Sequence, residues 1–305
     1  MLDIQQWLFE SVFQPVMLWL DMTQYLEDGY SAVAWFLWGL LQIAIIALVI
    51  VPLERVRPVE PVVDKATVRV DVLYTLIHRL GVFRLAIFLL LAPLLDEAFG
   101  LLRSGSLYSI SLGTFHLDQL WPSVTDGPIA SLILYVIVFD FFDYWMHRAQ
   151  HGWSRWWALH SLHHAQRQMT VWSDNRNHML DDVIRDVLMV CLAFAIGVSP
   201  SQFVFIVAIT QTSESLQHAN LRLSFGRIGE RLWVSPRFHR LHHGVNSGFG
   251  HNFGVLLPWW DQIFGTALFQ QHDQSYEPTG VLDQNDYGRG FWEQQWLGLK
   301  RMVRG

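Results

Sequence analysis

The chain has 305 residues, of which 51% are hydrophobic and 16% are charged, whereas an ordinary soluble domain is about 25% charged. This composition argues against disorder, a coiled coil and an ordinary cytosolic enzyme. With 21 basic and 27 acidic residues and no basic face we expect no nucleic-acid partner, and the single cysteine, Cys191, excludes a disulfide framework and a cysteine-based zinc site.

Apolar segments in the first half of the chain predict membrane helices. Residues 12–20 are apolar but short, which predicts an interfacial or packed helix and no signal peptide. Residues 32–51 contain no charge, and their number matches the ~20 residues that a helix needs to span a bilayer. Residues 80–95 form a second apolar stretch, in which the side chain of Arg84 can snorkel.

Further apolar segments follow in the second half. Residues 128–142 continue directly into the first histidine motif. Residues 187–198 and 203–210 flank Ser199-Pro200 and are each too short to span alone, so they predict a hairpin of two helices that turns at the proline. We therefore predict an all-α fold of multi-pass transmembrane helices with a histidine-rich helical cap.

The distribution of basic residues predicts the orientation in the membrane. Residues 1–31 contain five acidic residues and no Lys or Arg, whereas Arg55, Arg57, Lys65, Arg69 and Arg79 follow the first span. The positive-inside rule places the N-terminus and the loop around residues 100–127 outside, and all histidine motifs on the cytoplasmic face. We expect the protein in the cytoplasmic membrane or the endoplasmic reticulum.

Histidine is unusually frequent in this chain, and eleven of the fourteen histidines lie between positions 147 and 251. On a helix, residues three and four apart share a face, so each motif presents its imidazoles together. The motifs are His147-x-x-x-His151, His160-x-x-His163-His164 and His239-x-x-His242-His243, with His178 and His218 as single histidines.

These ten imidazoles predict a dinuclear metal site. Neutral imidazole binds Fe, Zn, Cu and Ni, and ten ligands exceed the three or four that one zinc ion needs. Two ions with about five ligands each would use them all. The chain has no Glu-x-x-His motif, so a carboxylate-bridged di-iron bundle is not indicated. A pair of haem groups would need isolated histidines in the middle of membrane spans, which is not the pattern of these clustered motifs.

These motifs resemble the signature of the integral-membrane fatty acid hydroxylase/sterol desaturase superfamily. The resemblance includes Asp140-x-x-x-Tyr144 before the first motif and Asn252-Phe253-Gly254 after the last, and it covers roughly residues 128–270. It implies two iron ions, which zinc can replace in isolated protein, with O₂ as co-substrate and an electron donor. The family's usual His-Pro-x-Glu element reads His178-Met179-Leu180-Asp181 here.

The resemblance also implies the organisation of the chain. Residues 1–127 would be an N-terminal membrane region, residues 128–270 a fatty acid hydroxylase-like catalytic domain, and residues 271–305 a peripheral tail. The two flanking regions show no electron-transfer motif, so we expect a separate donor protein. The expected activity is hydroxylation or desaturation of a membrane lipid, and the residues do not select one lipid.

Some polar side chains are expected to support the ligands. Asp140, Asp143 and Tyr144 precede His147 by seven, four and three residues, and Glu214 precedes His218 by four. A metal-bound imidazole usually donates its other N–H to a carboxylate or carbonyl, so we expect Asp140 and Tyr144 at the site and consider Asp143 and Glu214 for the same role. The alternatives are a non-catalytic or transport protein that binds zinc, and a bis-histidine haem protein.

Overall fold

The computed structural model describes residues 2–83, 116–247, 250–270, 276–283 and 285–304. Within these ranges every regular element is helical, apart from an isolated β-bridge between Gly244 and Thr279, so the all-α prediction is confirmed. The helices are α1 (Leu2–Leu8), α2 (Gln14–Trp19), α3 (Leu26–Ile45), α4 (Val51–Val56), α5 (Lys65–Arg79), α6 (Pro128–Gly152), α7 (Ser154–His164), α8 (Met179–Ile196), α9 (Pro200–Gln217), α10 (Gly226–Leu232), α11 (Pro236–His242), α12 (Trp259–Phe264) and α13 (Phe291–Arg304).

Among the described residues, two helices are long and apolar enough to cross a membrane, Thr23–Val56 and Pro128–Gly152. They contain the predicted spans at residues 32–51 and 128–142. Most of the predicted span at residues 80–95, from residue 84 onward, lies outside the described residues.

The chain divides into two compact units, of which the first comprises Met1–Leu48 and Leu76–Ser111. In this unit the N-terminal helices pack on α3, where Gln5 donates to the carbonyl of Tyr30 at 2.9 Å and the rings of Phe9 and Tyr30 meet edge to face at 5.4 Å. A Cβ atom at Gly39 would lie 1.6 Å from the carbonyl oxygen of Arg79, so only glycine permits this close approach of two backbones.

The second unit comprises Val49–Thr75 and Leu112–Gly305. Its apolar centre is formed by Tyr135, Phe139 and Ile206, which are buried between α6, α8 and α9. Helix α8 ends at Ile196 and is capped by Gly197, whose φ of 73° lies in the left-handed region, and α9 starts at Pro200 after the cap residue Ser199. The predicted hairpin with its turn at Ser199-Pro200 is therefore confirmed.

Helix α13 packs against α7, the helix that carries the second histidine motif. Arg301 donates to the carbonyl of Ala158 on α7 at 3.2 Å, and Gln295 donates to the hydroxyl of Tyr74 at 2.9 Å. Residues 291–304 are thus joined to the histidine-rich region by side-chain contacts.

Candidate metal centre

Nine of the ten predicted ligand histidines lie in two groups. Within each group the potential ligand atoms all lie within 4.8 Å of one another. The five-histidine group consists of His147, His151, His160, His164 and His242, and the four-histidine group of His163, His218, His239 and His243.

The two His-x-x-His-His motifs contribute to these groups in opposite ways. In the motif on α7, His160 and His164 belong to the five-histidine group and His163 to the other. In the motif on α11, His239 and His243 belong to the four-histidine group and His242 to the other. In each motif the first and the last histidine, at positions i and i+4, share a helix face, whereas the middle histidine belongs to the other group. The two motifs therefore interlock and bring the two groups together. The imidazole rings of His164 and His243 stack across the groups at 4.2 Å.

Hydrogen bonds set the tautomer of three histidines in the five-histidine group. Nδ1 of His147 donates to the carbonyl oxygen of Phe253 at 2.9 Å. Nδ1 of His160 donates to Oδ2 of Asp181 at 3.0 Å, and Nδ1 of His242 donates to the carbonyl oxygen of His251 at 2.8 Å. Because Nδ1 carries the proton, each Nε2 presents a lone pair. These three Nε2 atoms are buried and, within the described part of the chain, have no hydrogen-bond partner.

The four-histidine group has converging Nε2 atoms. The Nε2 atom of His218 lies 3.1 Å from those of His163 and His239, and that of His243 lies 3.1 Å from that of His239. The Nδ1 atom of His218 donates to the carbonyl of Glu214 at 2.8 Å, so its Nε2 offers a lone pair toward its neighbours. Buried lone pairs in both groups fit metal cations, which imidazole nitrogen binds readily.

Burial keeps these histidines neutral. Desolvation, followed by the effect of neighbouring histidines, lowers the pKa of His163, His164, His239 and His243 well below the ordinary value. Burial lowers the pKa of His242 to about 3. At neutral pH these side chains are therefore in the deprotonated form that binds a metal.

Asp181 is a supporting residue that the sequence reasoning did not single out. Its Oδ1 atom accepts from Gln150 at 2.8 Å and from Trp156 at 2.6 Å, and its Oδ2 accepts from His160. Burial raises the pKa of Asp181, but the hydrogen bonds, with that from His160 first, lower it by more, so the pKa lies below its ordinary value. The available signal was its place at the acidic position of the His178–Asp181 element.

His178 lies outside both groups, so the structure does not bring it together with the other predicted ligands. Its Nδ1 accepts from the backbone N–H of Leu180 at 3.1 Å, and its Nε2 donates to the carbonyl of Gln295 at 2.8 Å. Both ring nitrogens are thus used by the protein. His178 caps the N-terminus of α8 and holds α13, where a Cβ atom at Gly298 would lie 2.3 Å from its ring.

Asp140 and Tyr144 do not form their polar contacts with a ligand histidine. Asp140 accepts from the backbone N–H groups of Leu256 and Leu257 at 2.7 and 3.1 Å and from Trp260 at 3.0 Å. The hydroxyl of Tyr144 lies 3.0 Å from that of Thr266. Asp140 therefore fixes the loop that follows Phe253 and reaches His147 only through that loop.

A second buried carboxylate, Asp261, holds the same loop and was missed by the sequence reasoning. It accepts from the backbone N–H groups of Phe253 at 2.8 Å and Gly254 at 2.7 Å. These two hydrogen bonds fix the position of the carbonyl of Phe253, which accepts a hydrogen bond from Nδ1 of His147. The sequence offered no signal for Asp261, because it lies 18 residues beyond the last motif.

Asp143 and Glu214 bind Arg185 through their side chains instead of an imidazole. Arg185 donates to Asp143 at 2.9 and 3.0 Å and to Glu214 at 3.2 Å. This ion-pair network joins α6, α8 and α9. The supporting contact that Glu214 makes to His218 comes from its backbone carbonyl.

Residues 54–64 brace the region around the four-histidine group. Glu54 accepts from the backbone N–H groups of Asn220 at 2.6 Å and Val171 at 2.8 Å. The side chain of Asn220 in turn accepts from the N–H of Glu60 at 3.1 Å. Arg240, the neighbour of His239, is buried and donates to the carboxylate of Glu60 at 2.7 Å.

Comparison with known proteins agrees with the geometry. Residues 132–266 match the fatty acid hydroxylase family. The chain is 29% identical over 151 residues to an ornithine lipid hydroxylase of Rhizobium tropici, which covers 49% of this chain and 45% of the relative. It is also 29% identical over 151 residues to an alkylglycerol monooxygenase of Caenorhabditis elegans, covering 49% of this chain and 29% of the relative.

A Delta(7)-sterol 5(6)-desaturase of Gibberella zeae is 28% identical over 156 residues, covering 50% of this chain and 47% of the relative. The chain thus spans less than half the length of each of these three relatives. No solved structure gives a significant match. Residues 132–266, which contain both histidine groups, are thus similar to the fatty acid hydroxylase family and to relatives that include a lipid hydroxylase and a sterol desaturase.

Proposed function

We propose that this chain is a membrane-bound, O₂-dependent oxidoreductase that hydroxylates or desaturates a C–H bond of a lipid. The observation that carries the proposal is the pair of interlocked histidine groups within residues 132–266, the segment that matches the fatty acid hydroxylase family. The three relatives described above act on lipids by their names, which supports a lipid substrate.

We propose that each histidine group holds one iron ion. The five-histidine and four-histidine groups together offer nine imidazoles, and their buried, unprotonated nitrogens suit Fe(II) as well as Zn(II). When bound, two iron ions supply the redox chemistry with O₂ that activates an unreactive C–H bond.

The residues of the chain hold and shield these ions. Asp181, Phe253 O and His251 O keep protons on the Nδ1 atoms of their histidines, which aims Nε2 at the metal. The ring centroid of His151 lies 4.9 Å from that of Trp157 and 5.3 Å from that of Phe253. These aromatic side chains limit access of water to the five-histidine group.

We further propose the membrane arrangement that the basic residues indicate. The N-terminus and residues 100–127 would lie outside, and the metal centre on the cytoplasmic face, so that a lipid can reach it from the bilayer. Residues 128–270 would be the catalytic domain, and a separate protein would deliver electrons. A topology reporter fused after His164 should read out as cytoplasmic, and an external readout would contradict this arrangement.

The reaction class is tested by isotope labelling. Protein loaded with Fe(II) and given an electron donor and ¹⁸O₂ should place one labelled oxygen atom in a hydroxylated lipid. A desaturated product would contain no label, although O₂ would still be consumed. Lipid mass spectrometry of cells with and without the gene identifies the substrate.

A matched metal exchange distinguishes the proposal from a zinc protein. Zn(II) should keep the fold, because imidazole binds either ion, but stop the reaction, because zinc has no redox chemistry. Full activity of the zinc form would contradict an oxygenase. The comparisons do not favour a non-catalytic or transport role.

A further inference from the structure

The two short helices α10 and α12 form an exposed apolar surface together with Phe142 and Trp145 of α6. The side-chain amide of Gln262 on α12 donates to the carbonyl of Arg231 on α10 at 3.0 Å, which joins the two short helices. The ring of Phe264 lies 5.0 Å from that of Trp145, which joins α12 to α6. We call this the interfacial surface, and it consists of Phe142, Trp145, Ile228, Leu232, Ile263 and Phe264.

The apolar side chains of this surface face outward. Ile228 is 76% exposed, Ile263 is 66% exposed and Leu232 is 52% exposed. Contiguous exposed apolar side chains of this kind mark a site of interaction with a partner or a membrane.

On the two short helices the acidic side chains are buried and the basic side chains are exposed. The acidic residues are buried: Glu230 accepts from Ser235 at 2.5 Å, and Asp261 binds the Phe253 loop. The exposed charges are the arginines Arg227 and Arg231. The surface therefore combines outward apolar side chains with positive charge only, which is the pattern of helices that lie on anionic membranes.

The interfacial surface also continues a candidate membrane span. Phe142 and Trp145 belong to Pro128–Gly152, one of the two described helices that are long and apolar enough to cross a bilayer. The guanidinium of Arg148 lies 5.2 Å above the ring of Trp145 near the end of this helix. Tryptophan and arginine at the end of a span are typical of the boundary between hydrocarbon and headgroups.

We propose that helices α10 and α12 lie in the headgroup region of a lipid bilayer, with Ile228, Leu232, Ile263 and Phe264 inserted and with Arg227 and Arg231 binding anionic headgroups. The two buried acids connect this contact to the metal centre. Glu230 binds Ser235, the residue that caps α11, and Asp261 holds Phe253, whose carbonyl binds His147. This inference does not depend on the proposed reaction.

Depth-dependent quenching tests the insertion. The full chain with Cys191→Ala would carry Ile228→Cys or Ile263→Cys, labelled with a bimane fluorophore, in nanodiscs containing brominated lipids. Leu282→Cys is the matched control, because Leu282 is apolar and 74% exposed but lies outside the interfacial surface. We expect a blue shift and quenching at 228 and 263 and neither at 282. Labels at 228 and 263 that are quenched no more than the label at 282 would overturn the proposal.

Charge exchange tests the headgroup contact. With the label at 228, quenching should be stronger in phosphatidylglycerol nanodiscs than in phosphatidylcholine nanodiscs. The double variant Arg227→Gln and Arg231→Gln should lose this difference, whereas Arg289→Gln, at another exposed arginine, should retain it. Equal quenching in both lipids with all arginines present would overturn the assignment to anionic headgroups.

Discussion

The Nδ1 atom of His160 lies 3.0 Å from Oδ2 of Asp181, and both side chains are buried. The same carboxylate accepts from Gln150 on α6 and Trp156 on α7, while Asp181 itself lies on α8. One charged group thus fixes the relative positions of three helices and the orientation of one imidazole in the five-histidine group.

Replacing Asp181 by Asn should weaken metal binding without abolishing it. Loss of a carboxylate that orients a ligand histidine typically costs ~10–100-fold in metal affinity. Metal titration of the purified protein measures the change. Asp186→Asn, on the same helix and outside both histidine groups, is the control, and equal affinities of the two variants would contradict the role of Asp181.

Replacing His242 and His178 should give different losses. His242→Ala removes a member of the five-histidine group and should lower the metal content measured by elemental analysis. His178→Ala should retain two metal ions per chain but lower the stability by ~0.5–2 kcal/mol, because α8 loses its cap. Wild-type metal content in His242→Ala, or loss of one ion in His178→Ala, would reverse these assignments.

Neutralising Glu60 should destabilise the region around the four-histidine group. Glu60→Gln removes the negative charge opposite the buried guanidinium of Arg240 but keeps an acceptor oxygen, so we expect a loss of about 1 kcal/mol, the difference between a hydrogen bond to a charged and to a neutral acceptor. Thermal unfolding in nanodiscs measures the loss. Glu293→Gln, an exposed glutamate on α13, should change the unfolding temperature much less, and equal effects would argue against a brace by residues 54–64.

Acid should destabilise the metal-free protein. The pKa of His242 is about 3 in the folded chain and ~6.5 when unfolded, so the unfolded state binds more protons between these values. Stability is therefore full above pH ~6.5 and falls as the pH drops toward 3. Unfolding of metal-free protein across this range measures the effect, and bound metal should oppose it. Stability that rises on acidification would contradict neutral buried histidines.

The sequence was sufficient for the two described spans, for the hairpin at Ser199-Pro200 and for the clustering of most of the histidines, because apolar length and helical spacing predict them directly. It was not sufficient to divide the histidines between two groups. That division depends on how α7 and α11 face each other, so His163 and His164 separate although they are adjacent in the chain.

The supporting residues were harder to predict, because their partners are distant in sequence. Asp140 lies on the same side of α6 as His147 but binds backbone N–H groups more than 110 residues away. His178 fits the ligand pattern by residue type, yet α13 occupies one of its nitrogens and its own helix the other. Such contacts arise from the tertiary fold and leave no periodic pattern.

The contact between His178 and α13 also has a consequence for biosynthesis. Residues 291–304 emerge from the ribosome after every histidine of both groups has been translated. Only then can Gln295 bind His178, whose helix carries Asp181 and thereby orients His160. We therefore expect the two histidine groups to reach their final geometry late in maturation, so that a metal ion delivered to the nascent chain would meet a site that is still incompletely held.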